Sequence, residues 1–216
     1  MQSTEPVEVM LLITQELEAL EIPYFVGGSL AAIVHGEYRA TRDVDIIADI
    51  RREHVTALVR VWADAFYVQT EDIQEAIQNA VQYRNDARRR ATFNLIHFDT
   101  SFKVDIFVYT GRPFETTQLA RREAEVVATE PERTVYIASA EDTVLAKLEW
   151  YRLGGEVSDQ QWRDIAAVLK VQATALDRDY LFRWSHLLGV SDLLTRALDD
   201  SGLARWFAGS DTSWPA

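Results

Sequence analysis

The chain has 216 residues, of which 48% are hydrophobic and 26% charged, as in an ordinary globular protein able to bury a core. Cysteine is absent, which excludes disulfides, thiolate metal sites and cysteine nucleophiles and favours a reducing, cytoplasmic location. The net charge of −12 disfavours tight non-specific binding to nucleic acid. Neither a signal peptide nor an apolar run long enough to span a membrane is predicted.

The N-terminal part is predicted to mix helices and strands. Apolar residues at helical spacing predict a helix over residues 7–20, which Pro23 closes. Tyr24–Val26 is a predicted strand, and Ser29 is suited to cap a helix over residues 30–35. Further predicted strands are 43–48, 92–98, 102–108, 125–128 and 134–137, and further predicted helices are 51–66 and 71–83.

The pattern changes near residue 138. Helical patterns follow one another over residues 140–152, 159–170, 180–188 and 191–198, and no strand pattern lies between them. We therefore predict a mixed α/β domain over residues 1–138 and an all-helical subdomain over residues 139–216 that closes over the first.

A short segment combines two features that suit phosphate chemistry. The turn Gly27-Gly28-Ser29 precedes a predicted helix, whose first N–H groups are available to an anion. Asp43 and Asp45 lie two residues apart on the next strand, so their side chains point to the same face. Phosphoryl-group chemistry needs such a phosphate-binding turn beside carboxylates that hold a metal ion.

A third acid, Asp105, interrupts an otherwise apolar strand. If that strand lies beside the one carrying Asp43 and Asp45, the three carboxylates converge on one face of the sheet. Oxygen ligands of this kind favour Mg²⁺ or Mn²⁺, which would offset the repulsion between the carboxylates. The alternative is that these acids lie at strand ends or sheet edges and face water.

Together, the Gly-Gly-Ser turn, the helix, Asp-x-Asp and the later strand aspartate resemble the DNA polymerase β-type nucleotidyltransferase superfamily. Residues 39–45, RATRDVD, are similar to the RxTxDxD form of minimal bacterial nucleotidyltransferases, including the AbiEii toxin-like group. The resemblance covers residues 20–110. It implies a nucleotidyltransferase-fold α/β (α+β) domain with a small mixed sheet flanked by helices, followed by an all-α C-terminal subdomain.

The resemblance also implies transfer of a nucleoside monophosphate from a nucleoside triphosphate such as ATP. The acceptor could be an RNA end, a protein or a small molecule, and a toxin role with a cognate antitoxin is one expectation. In this scheme the turn Gly27-Gly28-Ser29 holds the triphosphate, Asp43 and Asp45 bind Mg²⁺ or Mn²⁺, and Asp105 completes the metal site as the base. Arg42 either neutralises phosphate charge or forms a surface ion pair.

The helical half resembles the same bacterial families. Their first helix carries a lysine and their second an acid, which match Lys147 and Asp164. The resemblance implies that Lys147 contacts a phosphate and takes part in catalysis, and that Asp164 orients Lys147. An interhelical salt bridge between them is the alternative. The lysine-rich signatures of known toxins are missing from this chain.

A basic cluster stands out in the acidic chain; it consists of Arg84, Arg88, Arg89 and Arg90. It is either a solvated loop or a weak contact for RNA or nucleotide.

Two other functional classes compete with nucleotidyl transfer. The domain could bind a nucleotide or a partner protein without turnover. Alternatively, Ser29 could be a hydrolase nucleophile, because residues 27–31 half match the GxSxG elbow, although Ala31 replaces the last glycine. The hydrolase hypothesis leaves Asp43, Asp45 and Asp105 without a role.

Overall fold

The computed structural model describes residues 5–41, 43–84 and 86–204. The strands are β1 Tyr24–Val26, β2 Val44–Ala48, β3 Phe66–Tyr67, β4 Thr92–His97, β5 Lys103–Val108, β6 Glu123–Thr129 and β7 Glu132–Ile137. The α-helices are α1 Glu5–Ala19, α2 Gly28–His35, α3 Val55–Trp62, α4 Thr70–Gln82, α5 Pro113–Arg121, α6 Ala140–Leu153, α7 Asp159–Gln172, α8 Arg178–Leu187 and α9 Ser191–Asp200. Single-turn 3-10 helices cover Arg52–His54 and Ala173–Ala175.

The strands form one mixed sheet in the order β3-β4-β5-β2-β1-β7-β6. The pairs β2–β5 and β1–β7 are parallel, and the other neighbours are antiparallel. Strands β2 and β5 lie side by side at the centre of the sheet, although α3, β3, α4 and β4 lie between them in the chain. This central parallel pair carries two of the three predicted acids, Asp45 and Asp105.

Alternation along the central strands separates a core face from a polar face. In β2, Val44, Ile46 and Ala48 are buried, whereas the residues between them are half-buried. β4 and β5 alternate in the same way, and α4 packs against both strands. The face that carries Asp45 is therefore opposite to the one that builds the core.

Two predictions of secondary structure were wrong. The helix expected over residues 51–66 ends at Trp62, and Phe66 begins β3, which pairs with β4. Helix α5 was not predicted. Pro113 lies in its first turn, and a carboxylate oxygen of Glu115 accepts hydrogen bonds from the backbone N–H and the hydroxyl of Thr110. The other predicted elements occur with ends shifted by a few residues.

The chain divides into two compact units. The first comprises Met1–Ala31 and Ala40–Ser139, and the second comprises Ala32–Arg39 and Ala140–Ala216. The predicted domain boundary lies at residue 138, and the contacts add Ala32–Arg39 to the second unit. None of the helices in the described ranges is long and apolar enough to cross a membrane.

Helix α6 is the centre of the second unit and packs against α7, α8 and α9. Beside apolar residues it buries charged side chains, and burial of charge is costly without a partner. The backbone N–H of Asp177 donates to Glu141, and the hydroxyl of Tyr180 donates to Asp142. The buried Lys147 has a carboxylate partner on α7.

Candidate active site

Two of the predicted carboxylates lie side by side on neighbouring strands. Asp45 in β2 and Asp105 in β5 are register partners in a parallel pair, so their side chains leave the sheet on the same face. Both are half-buried, on the face opposite to the core. The strand register therefore brings together two acids that are far apart in the chain.

The glycine turn packs directly against one of these acids. Gly28 begins α2 with a φ of +56°, and a Cβ atom there would lie 1.8 Å from Oδ2 of Asp45. Only glycine meets both conditions, because other residues rarely adopt this φ and no side-chain atom fits this space. The Asp45 carboxylate thus lies at the start of α2, where the first N–H groups have no intrahelical partner.

The other residues of the turn differ in what they offer to an anion. The N–H of Gly27 donates to the carbonyl oxygen of Asp45 at 2.9 Å, which continues the β1–β2 ladder and occupies that donor. The carbonyl of Gly27 accepts a hydrogen bond from Ala31 at 3.2 Å. Ser29 is the second residue of α2 and is half-buried. Gly28 and Ser29 are therefore the members of the turn that lie at the helix start.

The approach to β2 carries the third acid. Asp43 is exposed and lies just before the strand begins. Its N–H donates to Oγ1 of Thr41 at 3.3 Å, a local contact within the loop. Arg42 lies outside the described residues, so its proposed contact with phosphate stays a prediction.

Asp105 has a cationic neighbour on its own strand that the sequence analysis did not select. Nζ of Lys103 lies 2.9 Å from Oδ1 of Asp105. The lysine side chain is 50% exposed, and an ion pair in such surroundings contributes less than about 1 kcal/mol to stability. The signal was present in the sequence, because residues two apart in a strand share a face.

The three predicted metal ligands are not gathered into one cluster. Within residues 5–41, 43–84 and 86–204, no group of three or more histidine, aspartate or glutamate side chains is placed to hold a metal ion. Asp45 and Asp105 nevertheless fit a hard cation as a pair, because Mg²⁺ and Mn²⁺ prefer carboxylate oxygens and keep water or phosphate in their other positions. The three-carboxylate site stays a prediction.

A second polar cluster surrounds Asp164 of α7, in the helical unit. The Asp164 carboxylate accepts hydrogen bonds of 2.8 Å from Nζ of Lys147, from Nε and Nη2 of Arg39, and from Nε2 of Gln160. Asp164 and Lys147 are buried. The bidentate geometry of Arg39 is the strongest form of such a contact and fixes the plane of the carboxylate.

Two cations hold the buried acid of this cluster in its ionised form. Burial raises the pKa of Asp164, but the hydrogen bonds from Arg39 and Lys147 outweigh it and lower this pKa to about 2. The carboxylate is therefore ionised at neutral pH, and both cations donate hydrogen bonds to it.

The ion pair between Lys147 and Asp164 joins α6 to α7, as the salt-bridge interpretation expected. Contact of Lys147 with a phosphate stays a prediction. Arg39 was quoted in the RxTxDxD pattern but was given no role, because its partner lies 125 residues away in the chain. The contact of the buried Asp164 with both Arg39 and Lys147 can be recognised only in the structure.

The basic cluster lies between α4 and β4. The side chain of Arg84 lies next to Gly111, where a Cβ atom would be 3.4 Å from its Nε. Asp86 pairs with Arg89 at 3.6 Å and accepts a hydrogen bond from the N–H of Arg88. Part of the positive charge is thus neutralised locally, and Arg88 and Arg89 remain exposed.

Comparison with solved structures found similar folds. An antigenic nucleotidyltransferase-like protein from Paracoccidioides brasiliensis is 18% identical, with a TM-score of 0.58 and coverage of 94% of both chains. A lincosamide antibiotic adenylyltransferase bound to lincomycin is 14% identical, with a TM-score of 0.49 over 78% of this chain and 98% of that one. A putative nucleotidyltransferase from Thermotoga maritima is 17% identical, with a TM-score of 0.46 over 76% and 97%.

No protein-family model matches the chain, and no curated protein matches it in sequence. The likeness to the Paracoccidioides protein covers nearly the whole of both chains and identifies the fold. The predicted fold class is therefore confirmed: this chain has a nucleotidyltransferase fold, with a mixed α/β part followed by helices.

Proposed function

We propose that this protein transfers a nucleoside monophosphate from a nucleoside triphosphate to an acceptor hydroxyl or phosphate. The observation that carries the proposal is the register of Asp45 and Asp105 beside Gly28. It joins a helix start suited to phosphate with two neighbouring carboxylates suited to a cation. The nucleotidyltransferase fold supports the same reaction class.

In the proposed reaction the acceptor oxygen attacks the α-phosphorus. The bond from that phosphorus to the bridging oxygen breaks, and pyrophosphate leaves. When the acceptor is a hydroxyl, its proton passes to the carboxylate of Asp105. The N–H groups at the start of α2, with Gly28 and Ser29, bind phosphate oxygens. Such transfers depend mainly on positioning and on neutralising charge.

Asp45 and Asp105, joined by Asp43, would hold Mg²⁺ or Mn²⁺, which when bound would neutralise charge on the reacting phosphates. Asp45 is held against Gly28, so its position relative to the helix start is fixed by packing. In the helical unit, Lys147 donates a hydrogen bond to Asp164, and we assign Lys147 to a phosphate. Asp164 keeps Lys147 in one conformation.

The test is transfer of label from each α-labelled nucleoside triphosphate, with Mg²⁺, to proteins, RNA and small molecules, followed by mass analysis of labelled products. Asp45→Asn and Asp105→Asn preserve shape and remove charge, so each should slow transfer by at least about 10²-fold. Asp99→Asn, an exposed acid in the β4–β5 turn, is the matched control. Transfer that survives both site substitutions would show that the assigned carboxylates do not act.

Binding without turnover is the main alternative for the same fold. It predicts that wild-type protein binds nucleotide but forms no labelled product, so the same assay with a binding measurement separates the two. The hydrolase hypothesis for Ser29 is less well supported, because the fold is that of nucleotidyltransferases. Membership of the AbiEii-like group, a toxin role, an antitoxin partner, RNA contact through the arginines and a cytoplasmic location stay predictions.

A further inference from the structure

A lysine of the central sheet lies at the same edge of the sheet as the start of α2. Strand β1 ends at this edge, and after Gly27 the chain begins α2 at Gly28, whereas β5 begins at this edge with Lys103. The pairing explains the arrangement, because β1 is antiparallel to β2 and β2 is parallel to β5. The end of β1 therefore lies at the same edge as the starts of β2 and β5.

The separation along this edge leaves room for a phosphate group. The order β5-β2-β1 places one strand between Lys103 and the start of α2. Neighbouring strands lie about 4.8 Å apart, so β5 and β1 are separated by roughly 10 Å. Lysine carries its ammonium group on a flexible four-carbon chain. A phosphate bound by the N–H groups at Gly28 and Ser29 is therefore within reach of Nζ of Lys103.

In the structure Lys103 forms an ion pair with Asp105. Nζ lies 2.9 Å from Oδ1 of Asp105, and the lysine side chain is 50% exposed. An ion pair this exposed contributes little to stability, so it is broken at little cost. A divalent cation held by Asp45 and Asp105 would repel an ammonium group only a few ångströms away. Lys103 should therefore leave Asp105 when such a cation binds, and a nucleotide offers it phosphate oxygens at the same edge of the sheet.

We propose that Lys103 is a phosphate-binding residue of the donor site, and that it exchanges the Asp105 carboxylate for the triphosphate when cation and nucleotide bind. The inference rests on the proposed function and adds a residue that binds its nucleoside triphosphate. One ion pair replaces another, and no covalent bond changes. The exchange frees Asp105 for the cation and places a positive charge on the phosphates, which such transfers require. An ion pair that only stabilises the strand predicts no effect of Lys103 on nucleotide binding.

The experiment measures calorimetric binding of three probes to the full chain. Mn²⁺ alone reports on the carboxylates. Tripolyphosphate and the α,β-methylene analogue of ATP, each with saturating Mg²⁺, report on the phosphate site, and the analogue cannot undergo the transfer. Lys103→Met should bind Mn²⁺ severalfold more tightly and both phosphate probes about tenfold or more weakly. Lys103→Arg keeps the charge and should bind both phosphate probes within about threefold of wild type.

Arg51→Met is the matched control, because Arg51 also pairs with an acid two residues away. Its Nη2 lies 2.7 Å from Oδ2 of Asp49, and the arginine side chain is 62% exposed. Both residues follow the last residue of β2, at the opposite end of that strand from the edge where α2 starts. The variant should bind all three probes as wild type does, and thermal unfolding checks that each variant is folded.

The opposite directions of the two effects distinguish the exchange from a general effect of charge. Equal affinity of wild type and Lys103→Met for the phosphate probes would overturn the proposal and leave the proposed function intact. Unchanged or weaker Mn²⁺ binding by Lys103→Met would also overturn it, because Lys103 would then not compete for Asp105. The same changes in Arg51→Met would reduce the result to net charge and overturn the assignment. If wild type bound neither phosphate probe, the proposed function itself would fall.

Discussion

Substitution of Gly28 by alanine tests whether the turn Gly27-Gly28-Ser29 and the carboxylate of Asp45 form one structural unit. The new Cβ atom would lie 1.8 Å from Oδ2, 2.7 Å from Cγ and 3.0 Å from Cβ of Asp45. A rotation of the carboxylate alone cannot relieve all three contacts, so the Asp45 side chain and the backbone must both shift. We expect Gly28→Ala to lower both stability and transfer activity.

Two terms set the size of the effect on stability. A residue with a side chain at a φ of +56° costs roughly 1–2 kcal/mol. Insertion of a carbon atom into occupied space costs typically about 1–3 kcal/mol more. The sum, about 2–5 kcal/mol, is smaller than most of the range of about 5–15 kcal/mol by which domains are typically stable, so the variant should still fold.

Gly189→Ala separates the two terms. Gly189 has a φ of +68° in the α8–α9 turn, and a Cβ atom there would meet nothing within 4 Å. It should therefore show only the cost of the backbone conformation, about 1–2 kcal/mol in urea unfolding. The excess cost of Gly28→Ala should shrink by about 1 kcal/mol in an Asp45→Ala background, because two of the three overlapping atoms are then absent.

Equal stability and equal transfer rates of Gly28→Ala and Gly189→Ala would refute a special contact between Gly28 and Asp45. A stability cost of Gly28→Ala that Asp45→Ala leaves unchanged would refute it as well. A variant that keeps normal stability but loses transfer would show that the glycine is needed by the nucleotide and not by Asp45.

Three further measurements follow from the structure. The pKa of Asp164 is lowered in the folded state to about 2, from the usual value of 3.8, so its ionisation adds about 2 kcal/mol to the free energy of unfolding. This contribution is present above about pH 4 and is lost as the pH falls towards 2. Urea unfolding of wild type should show this loss, and urea unfolding of Asp164→Asn should not. Lys103→Met removes a cation that competes for Asp105, so calorimetry should show Mn²⁺ binding severalfold more tightly, and weaker binding would contradict this. Tyr24→Phe removes a buried hydroxyl that donates to Glu18, and thermal or urea unfolding should show a loss of about 1 kcal/mol.

Local sequence patterns were sufficient to predict most of the helices and strands and to select Asp43, Asp45 and Asp105. Alternation predicted β2 and β5, and the polar residue Asp105 inside an apolar strand was recognisable without a structure. The pairing of β2 with β5 could not be predicted, because hydrophobic alternation shows which face of a strand is buried and does not identify the neighbouring strand. The parallel register of Asp45 with Asp105 is a property of the whole sheet.

The missed elements have identifiable physical causes. The two residues of β3 follow a helical pattern directly, and so short an edge strand exists only because β4 supplies its hydrogen-bond partners. Helix α5 was not predicted, although it has a recognisable signal, because Pro113 lies in its first turn, where proline is favoured. The role of Arg39 depends on Asp164, far along the chain, and no local rule joins them.

The glycine turn and the Asp-x-Asp motif are separate in the sequence but are in direct contact in the structure. Antiparallel pairing of β1 with β2 sets Val26 opposite Ile46, and the next N–H, that of Gly27, donates to the carbonyl of Asp45. The chain must then turn into α2 directly over the Asp45 side chain, and only a residue without Cβ can do so. The Asp45 carboxylate therefore requires glycine at position 28, independently of the phosphate that we propose binds there. Because the β2–β5 register adds Asp105 to this arrangement, one sheet geometry positions the helix start and both carboxylates together.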